Sequence, residues 1–305
     1  MEGFRMPSSG PNPHAVKSPR RAGRFVSLLP DVQGIRCPWD VVIDTALDEE
    51  KRRQVAHGAT VGVIRRGSQA GSLLAVHGAR AIQPNGLEMV RVMSSHVGMP
   101  NYIGVLHVPG GVDQRRAIWF ESFNEMHHLM DLVLVGRAVD VVTQPVRFEW
   151  RFPRRGLREH TPDALVALRD GRLLLVDVTR AEKLRADPRL GAILTLTAET
   201  CRAIGWEYQV RTELPAQRCR NLRFLWGDFG RETVPDETVR MTGQSAGRVR
   251  VADIEAALAC PDARRRVLAA MASGQLFVDL DQPLAPWSPV YGTPPREAPP
   301  WLMQV

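Results

Sequence analysis

The sequence predicts an α/β protein, a mixed sheet flanked by helices, and three observations carry that expectation. The first is a pair of apolar stretches, His160 to Leu168 and Arg172 to Arg180, separated by Arg169-Asp170-Gly171. Their Leu, Val and Ala runs are too apolar for strands with one wet face, so they belong at the centre of a sheet covered on both sides. The second is an amphipathic helix from Asp187 to Ile204, followed by a strand from Trp206 to Val210, the order of a crossover connection. The third is a strand at Ala117 to Phe120 running into a helix whose apolar stripe is Phe123, Met126, Leu129, Met130, Val133 and Leu134.

From the N-terminus, residues 1–29 are rich in Pro, Ser, Gly and Arg and cannot bury enough surface to order themselves. Their basic cluster, Pro19 to Arg24, suits either an arm on DNA phosphates or a solvated tail. Residues 30–95 read as a small β-containing lead-in region. It has a charged helical face at Glu49 to Arg53 and strands near Thr60 to Arg65 and Leu87 to Val92. Residues 96–214 form the α/β core. There Tyr102 to Val108 pairs with Ala117 to Phe120 through Pro109-Gly110-Gly111, and strands follow at Val139 to Val142 and Val146 to Trp150. Arg151, Arg154, Arg155 and Arg158 read as a basic loop ahead of Asp163, either holding phosphates or simply solvated.

Residues 215–291 form a separate module. Two short helices, Val251 to Ala259 and Asp262 to Ala272, are broken by Pro261. A strand at Gly274 to Asp281 and a Pro-rich turn before Val290 complete a winged-helix-like order, which unrelated αβ caps also fit. Residues 292–305 are a Pro-rich tail.

Composition bounds the partners. The 305 residues are 44% hydrophobic and carry a net charge of +7, a balance that favours a polyanionic partner. Cys37, Cys201, Cys219 and Cys260 lack CxxC spacing, so neither a zinc site nor a disulfide framework is expected. No apolar run reaches membrane-span length and no hydrophobic signal segment opens the chain, which gives a cytoplasmic expectation with no membrane partner.

Two acids stand in strands that seldom carry them. If Arg169-Asp170-Gly171 is a three-residue loop with Gly171 left-handed, Leu168 pairs with Arg172 and Asp163 falls opposite Asp177. A two-residue loop would turn the acids to opposite faces. The three-residue loop is the expectation here. Carboxylates so paired sit about 4.5–5.5 Å apart at Cβ. They repel unless a proton or cation intervenes, and Mg2+ or Mn2+ is the natural remedy. Taken singly, Asp163 is a strand opening and Asp177 the partner of an arginine. Upstream, Ser122 and Glu125 have capping-box spacing, so Glu125 either caps its helix or supplies a third oxygen donor. His127 and His128 point about 100° apart on a helix and read as surface groups or groups behind a metal site.

Ser122-x-x-Glu125, Gln144-Pro145, Thr161-Pro162-Asp163 and Asp177-Val178-Thr179, in this order, resemble the TnsA-like endonuclease subunit of heteromeric transposases, within the PD-(D/E)XK nuclease superfamily. The resemblance covers roughly residues 100 to 226, including Cys201 to Tyr208 and Asn221 to Trp226. It implies a restriction-endonuclease-like sheet and a magnesium-dependent DNA-cutting site, with Mn2+ able to substitute. Glu125, Asp163 and Asp177 would be its metal-binding acids, Thr179 would join them in catalysis, and Gln144 would support them. The expected DNA contacts are Arg154, Arg155, Arg158, Arg180 and Lys183. The implied partners are double-stranded DNA at transposon ends, a DDE-type transposase and an ATPase regulator. The family's third motif ends in acid-x-Lys, whereas Thr179 stands here and carries no charge. The rival expectations are a cutting-impaired DNA-binding scaffold of the same assembly and a stand-alone restriction or repair nuclease.

Overall fold

A computed structural model describes residues 49–68, 70–91, 93, 102–108, 116–135, 138–152, 156–244, 249–293 and 302–303. It is a mixed α/β structure with largely antiparallel sheets flanked by helices. Helix α1 (Glu49–His57) precedes β1 (Thr60–Arg65) and β2 (Gly71–Ala75). Two 3-10 turns, Val76–Ala81 and Pro84–Gly86, lead to the short β3 (Leu87–Glu88). The hairpin β4 (Gly104–Val108) and β5 (Arg116–Phe120) forms a two-stranded sheet of its own. Gly104 lies across from Phe120, whose ring occupies the space a Cβ would need.

Helix α2 (Phe123–Leu134) follows, then β6 (Ala138–Thr143), β7 (Arg147–Phe152) and β8 (Gly156–His160), then β9 (Ala164–Leu168) and β10 (Leu173–Val178). The short α3 (Ala181–Ala186) and the long α4 (Pro188–Ile204) carry the chain to β11 (Glu207–Arg211). The local sequence sets both ends of α4. The Asp187 carboxylate accepts from the amides of Arg189 and Leu190, Pro188 sits in the first turn, and Gly205 closes the helix at φ 92°. Helices α5 (Ala216–Trp226), α6 (Asp236–Gln244), α7 (Val251–Leu258) and α8 (Ala263–Ala272) complete the body, and β12 (Leu302–Met303) pairs with β11.

One sheet runs β2-β1-β7-β8, with β3 also on β1; the central sheet runs β12-β11-β10-β9-β6. Among the described residues, only the β10–β11 pairing is parallel, as the α3–α4 crossover requires. The central strands are buried on both faces, as their apolar runs predict. Ala164, Val166, Leu174 and Val176 pack with α2, α5 and α8, whereas Leu165, Leu173 and Leu175 pack with Phe148, Trp150 and α4. The β1–β7 ladder pairs Val61 with Phe148, and one apolar cluster joins Leu129 and Val166 to Leu222 and Leu268. The lead-in region and the C-terminal helices therefore share sheet and core with residues 96–214.

Several local expectations change. Arg151 and Arg158 are not in a loop: Arg151 lies in β7 and Arg158 in β8, where Trp150 pairs with Arg158 and Arg151 with Leu157. Charge misled there, because Arg147 bonds Glu149 and reaches Glu159 across the strands, while Phe148 and Trp150 on the other face of β7 enter the core. Arg154 and Arg155 lie outside the described residues, as do residues 1–29. The strand expected from Gly274 to Asp281 is reduced to one bridge between Phe277 and Tyr291. Its first amides, Gln275 and Leu276, instead bond the Ala270 carbonyl and finish α8. The expected strand at Leu87 to Val92 is described only as Leu87–Glu88.

Candidate active site

The β9–β10 hairpin has the three-residue loop. Leu173 pairs with Ala167 and Val176 with Ala164, the Leu168 amide bonds the Arg172 carbonyl, and Gly171 is left-handed at φ 84°. Continuing that register by one step sets Asp163 opposite Asp177. The regular ladder stops at Ala164, however. The Asp163 amide bonds the Val176 carbonyl, and its carboxylate Oδ2 accepts from the Val178 amide at 2.6 Å. The side chain thus takes the place of a strand partner at the mouth of the hairpin.

Asp177 is buried in β10. Its carboxylate accepts from His160 Nε2 at 2.9 and 3.0 Å and from the Tyr208 hydroxyl at 2.5 Å. The expectation of an arginine partner gives way to this His and Tyr pair. His160 ends β8 in one sheet, Asp177 lies in the other, and the chain crosses between the sheets from His160 to Ala164. That crossing brings His160 to the Asp177 carboxylate and Asp163 to the adjoining Val178 amide. Sequence alone assigns His160 no role, and Tyr208 reads there only as part of a strand.

Glu125 caps α2. Ser122 Oγ accepts from the Glu125 amide, Glu125 Oε1 accepts from Ser122 Oγ at 2.9 Å, and Oε2 accepts from the Glu121 amide at 2.8 Å. Capping does not remove the acid from the site. Glu125 and Asp163 line one small cavity with His128, Leu129, Leu132, Thr143, Ala164, Val176 and Val178. Burial pushes the Asp163 carboxyl well above the ordinary carboxylate range. Repulsion from Asp177 and then Glu125 adds to this, and the Val178 amide and Arg91 oppose it. Glu125 is also raised, first by burial, against the lowering effect of its two cap bonds.

The supporting residues converge from other elements. Gln144 is buried at φ 47°; its amide bonds the Asp163 carbonyl at 2.8 Å, and its side-chain oxygen accepts from Arg91. Arg91 also pairs with Glu121, a link the sequence did not signal. Thr179 is half-buried. Its amide bonds the Arg211 carbonyl at 2.9 Å, and its own carbonyl accepts from Asn124 Nδ2 at 3.4 Å, which ties the start of α2 to the end of β10. Arg180 and Lys183 are exposed at the start of α3. Arg158 is half-buried and donates to the Leu157 carbonyl.

His128 is not a surface group. It is fully buried, and its Nε2 bonds the Thr212 carbonyl. Burial, together with Arg211, lowers its pKa to about 4. Half-buried His127 is also lowered, by burial and then Arg223.

Among the described residues, no three His, Cys, Asp or Glu side chains already surround a common point. The donor chemistry nonetheless suits a hard divalent cation. Half-buried Asp163 is repelled both by buried Asp177 and by half-buried Glu125, and carboxylate oxygen is the ligand such ions take. No helix among the described residues is long and apolar enough to cross a membrane. No protein-family model matches the chain, and no curated protein matches it.

Proposed function

We infer that this chain is a magnesium-dependent DNA endonuclease subunit of a heteromeric transposase, nicking transposon ends beside a DDE-type transposase and under an ATPase regulator. The reading takes the α/β body as a PD-(D/E)XK-type core with a winged-helix-like C-terminal part, working in the cytoplasm. The observation that supports it is that Asp163, at the mouth of the β9–β10 hairpin, is repelled by both Asp177 in β10 and Glu125 in the first turn of α2.

Asp163 and Asp177 would hold Mg2+, with Mn2+ as substitute, and Glu125 would complete the site. When bound, the ion supplies Lewis-acid polarisation of the scissile phosphate and a more acidic water. The protein's own part is orientation. The Val178 amide fixes Asp163, the cap bonds fix Glu125, and Gln144 holds the backbone of Asp163. Arg180 and Lys183 present positive charge at the adjacent surface for phosphate contact, and Arg154, Arg155 and Arg158 would extend it. Carboxylates and arginines read phosphates and not bases, so target choice falls to the partners.

One observation favours a second reading, a scaffold that binds DNA without cutting it. Thr179 stands at the family's lysine position, and the lysines of this chain are Lys17, Lys51 and Lys183. Lys17 lies outside the described residues, Lys51 is exposed on α1 and Lys183 is exposed on α3. A plasmid-nicking assay with Mg2+, with and without the products of adjacent reading frames, separates the readings. Cutting only with partners supports the first, and no cutting in either condition supports the scaffold. Efficient cutting by the chain alone would make it a stand-alone nuclease.

A further inference from the structure

The inference concerns how Asp177 is held, and it rests on the metal-site reading above. Asp177 is the acid that takes side-chain donors from two sheets at once. Tyr208 lies on β11 across from Leu175, so its ring shares the face of β10 that Asp177 uses two residues further on. His160 arrives from β8, whose last ladder pair joins it to Phe148. Neither donor is needed to satisfy the sheet. Backbone pairing of β10 and β11 does not use the Tyr208 hydroxyl, and His160 closes its own ladder through main-chain pairing. A tyrosine hydroxyl and an imidazole in a largely apolar layer are therefore specific commitments to one carboxylate.

Their geometry leaves Asp177 little freedom. Oδ2 takes both the Tyr208 hydroxyl and His160, while Oδ1 is reached by His160 alone. A carboxylate has about four lone-pair positions, so two donors crowded on one side leave capacity on the other. The nearest acid is Asp163, three residues beyond His160 along the crossover, whose carboxylate takes the adjoining Val178 amide and feels the charge of Asp177.

We propose that His160 and Tyr208 are positioning residues for a divalent-metal site, clamping the Asp177 carboxylate so that its remaining lone pairs face the ion shared with Asp163. Hydrogen-bonded partners behind metal ligands typically carry a 10- to 100-fold share of affinity. The clamp is separate from the family's lysine position, since both residues act through Asp177 and not on the phosphate.

The test uses the full chain and Mn2+ alone, with binding read from the loss of the free-ion electron paramagnetic resonance signal. Folding of each variant is checked by circular dichroism. Tyr208→Phe keeps the ring and removes only the hydroxyl, and it is expected to weaken Mn2+ binding about 10-fold or more. His160→Ala is expected to do the same, and His160→Gln, which retains a donor, to recover most of the loss. Folded Tyr208→Phe and His160→Ala proteins that bind Mn2+ as tightly as wild type, while Asp177→Ala does not bind, would overturn the clamp and leave the metal site standing. A folded wild-type chain that binds no Mn2+ overturns both.

Discussion

The three-residue hairpin loop sets which way Asp163 and Asp177 face, and it can be tested by two substitutions with opposite meanings. Gly171 is left-handed at φ 84°, and a Cβ added there meets no atom within 4 Å. The cost of Gly171→Ala is thus conformational alone, about 1–2 kcal/mol. At about 2–4 °C per kcal/mol, the melting temperature falls by roughly 2–8 °C. Asp170 is not left-handed; among the described non-glycine residues, only Gln144 and Ala259 have positive φ. Asp170 also bonds Arg172 through the Arg172 amide at 3.2 Å and the guanidinium at 2.7 and 2.9 Å. Asp170→Gly loses those bonds and loosens the unfolded chain, so its urea midpoint falls. In a two-residue loop, both Asp170 and Gly171 would need positive φ, and Asp170→Gly would stabilise. A raised urea midpoint for Asp170→Gly refutes the register and the placement of the acids with it.

Two further outcomes follow from buried charge. Asp131 is buried beneath Arg211 and Arg218, with contacts at 3.2, 2.9 and 2.7 Å, and Arg218 continues to Asp281. Asp131→Ala removes the carboxylate from buried Arg211 and one of the two from Arg218, and costs about 3–5 kcal/mol in urea unfolding. The exposed Glu49–Arg53 pair, removed the same way, costs within about 0.5 kcal/mol. His128 has a folded pKa of about 4 against 6.5 when unfolded, set by burial and Arg211 and opposed by Thr212 and Asp131. The unfolded chain binds this proton first as pH falls. Its contribution is therefore complete above pH 6.5 and lost between there and pH 4, amounting to about 3 kcal/mol at roughly 1.4 kcal/mol per unit. In His128→Gln, urea midpoints measured across that window show a correspondingly shallower decline.

The hairpin was legible because apolar runs, an Arg-Asp-Gly turn and strand alternation all constrain one another. The same holds for the Ser122 and Glu125 cap and for the Asp187 start of α4, where short-range hydrogen bonds decide the outcome. Long-range pairing was not legible. Strand β8 reads as a charged loop because its arginine and glutamate neighbours find partners only once β7 lies beside them. The His160 and Tyr208 contacts with Asp177 were hidden likewise, since the three come from different strands in two sheets. The burial of His128 depends on β11 and α5 closing over α2, which no local pattern announces.

Diffraction from crystals soaked in Mn2+, recorded for anomalous signal, tests the shared-ion claim most directly. A single peak about 2.0–2.6 Å from carboxylate oxygens of both Asp163 and Asp177, with Glu125 adjoining, is the predicted result. No peak there at saturating Mn2+, or one bound away from these acids, would contradict it.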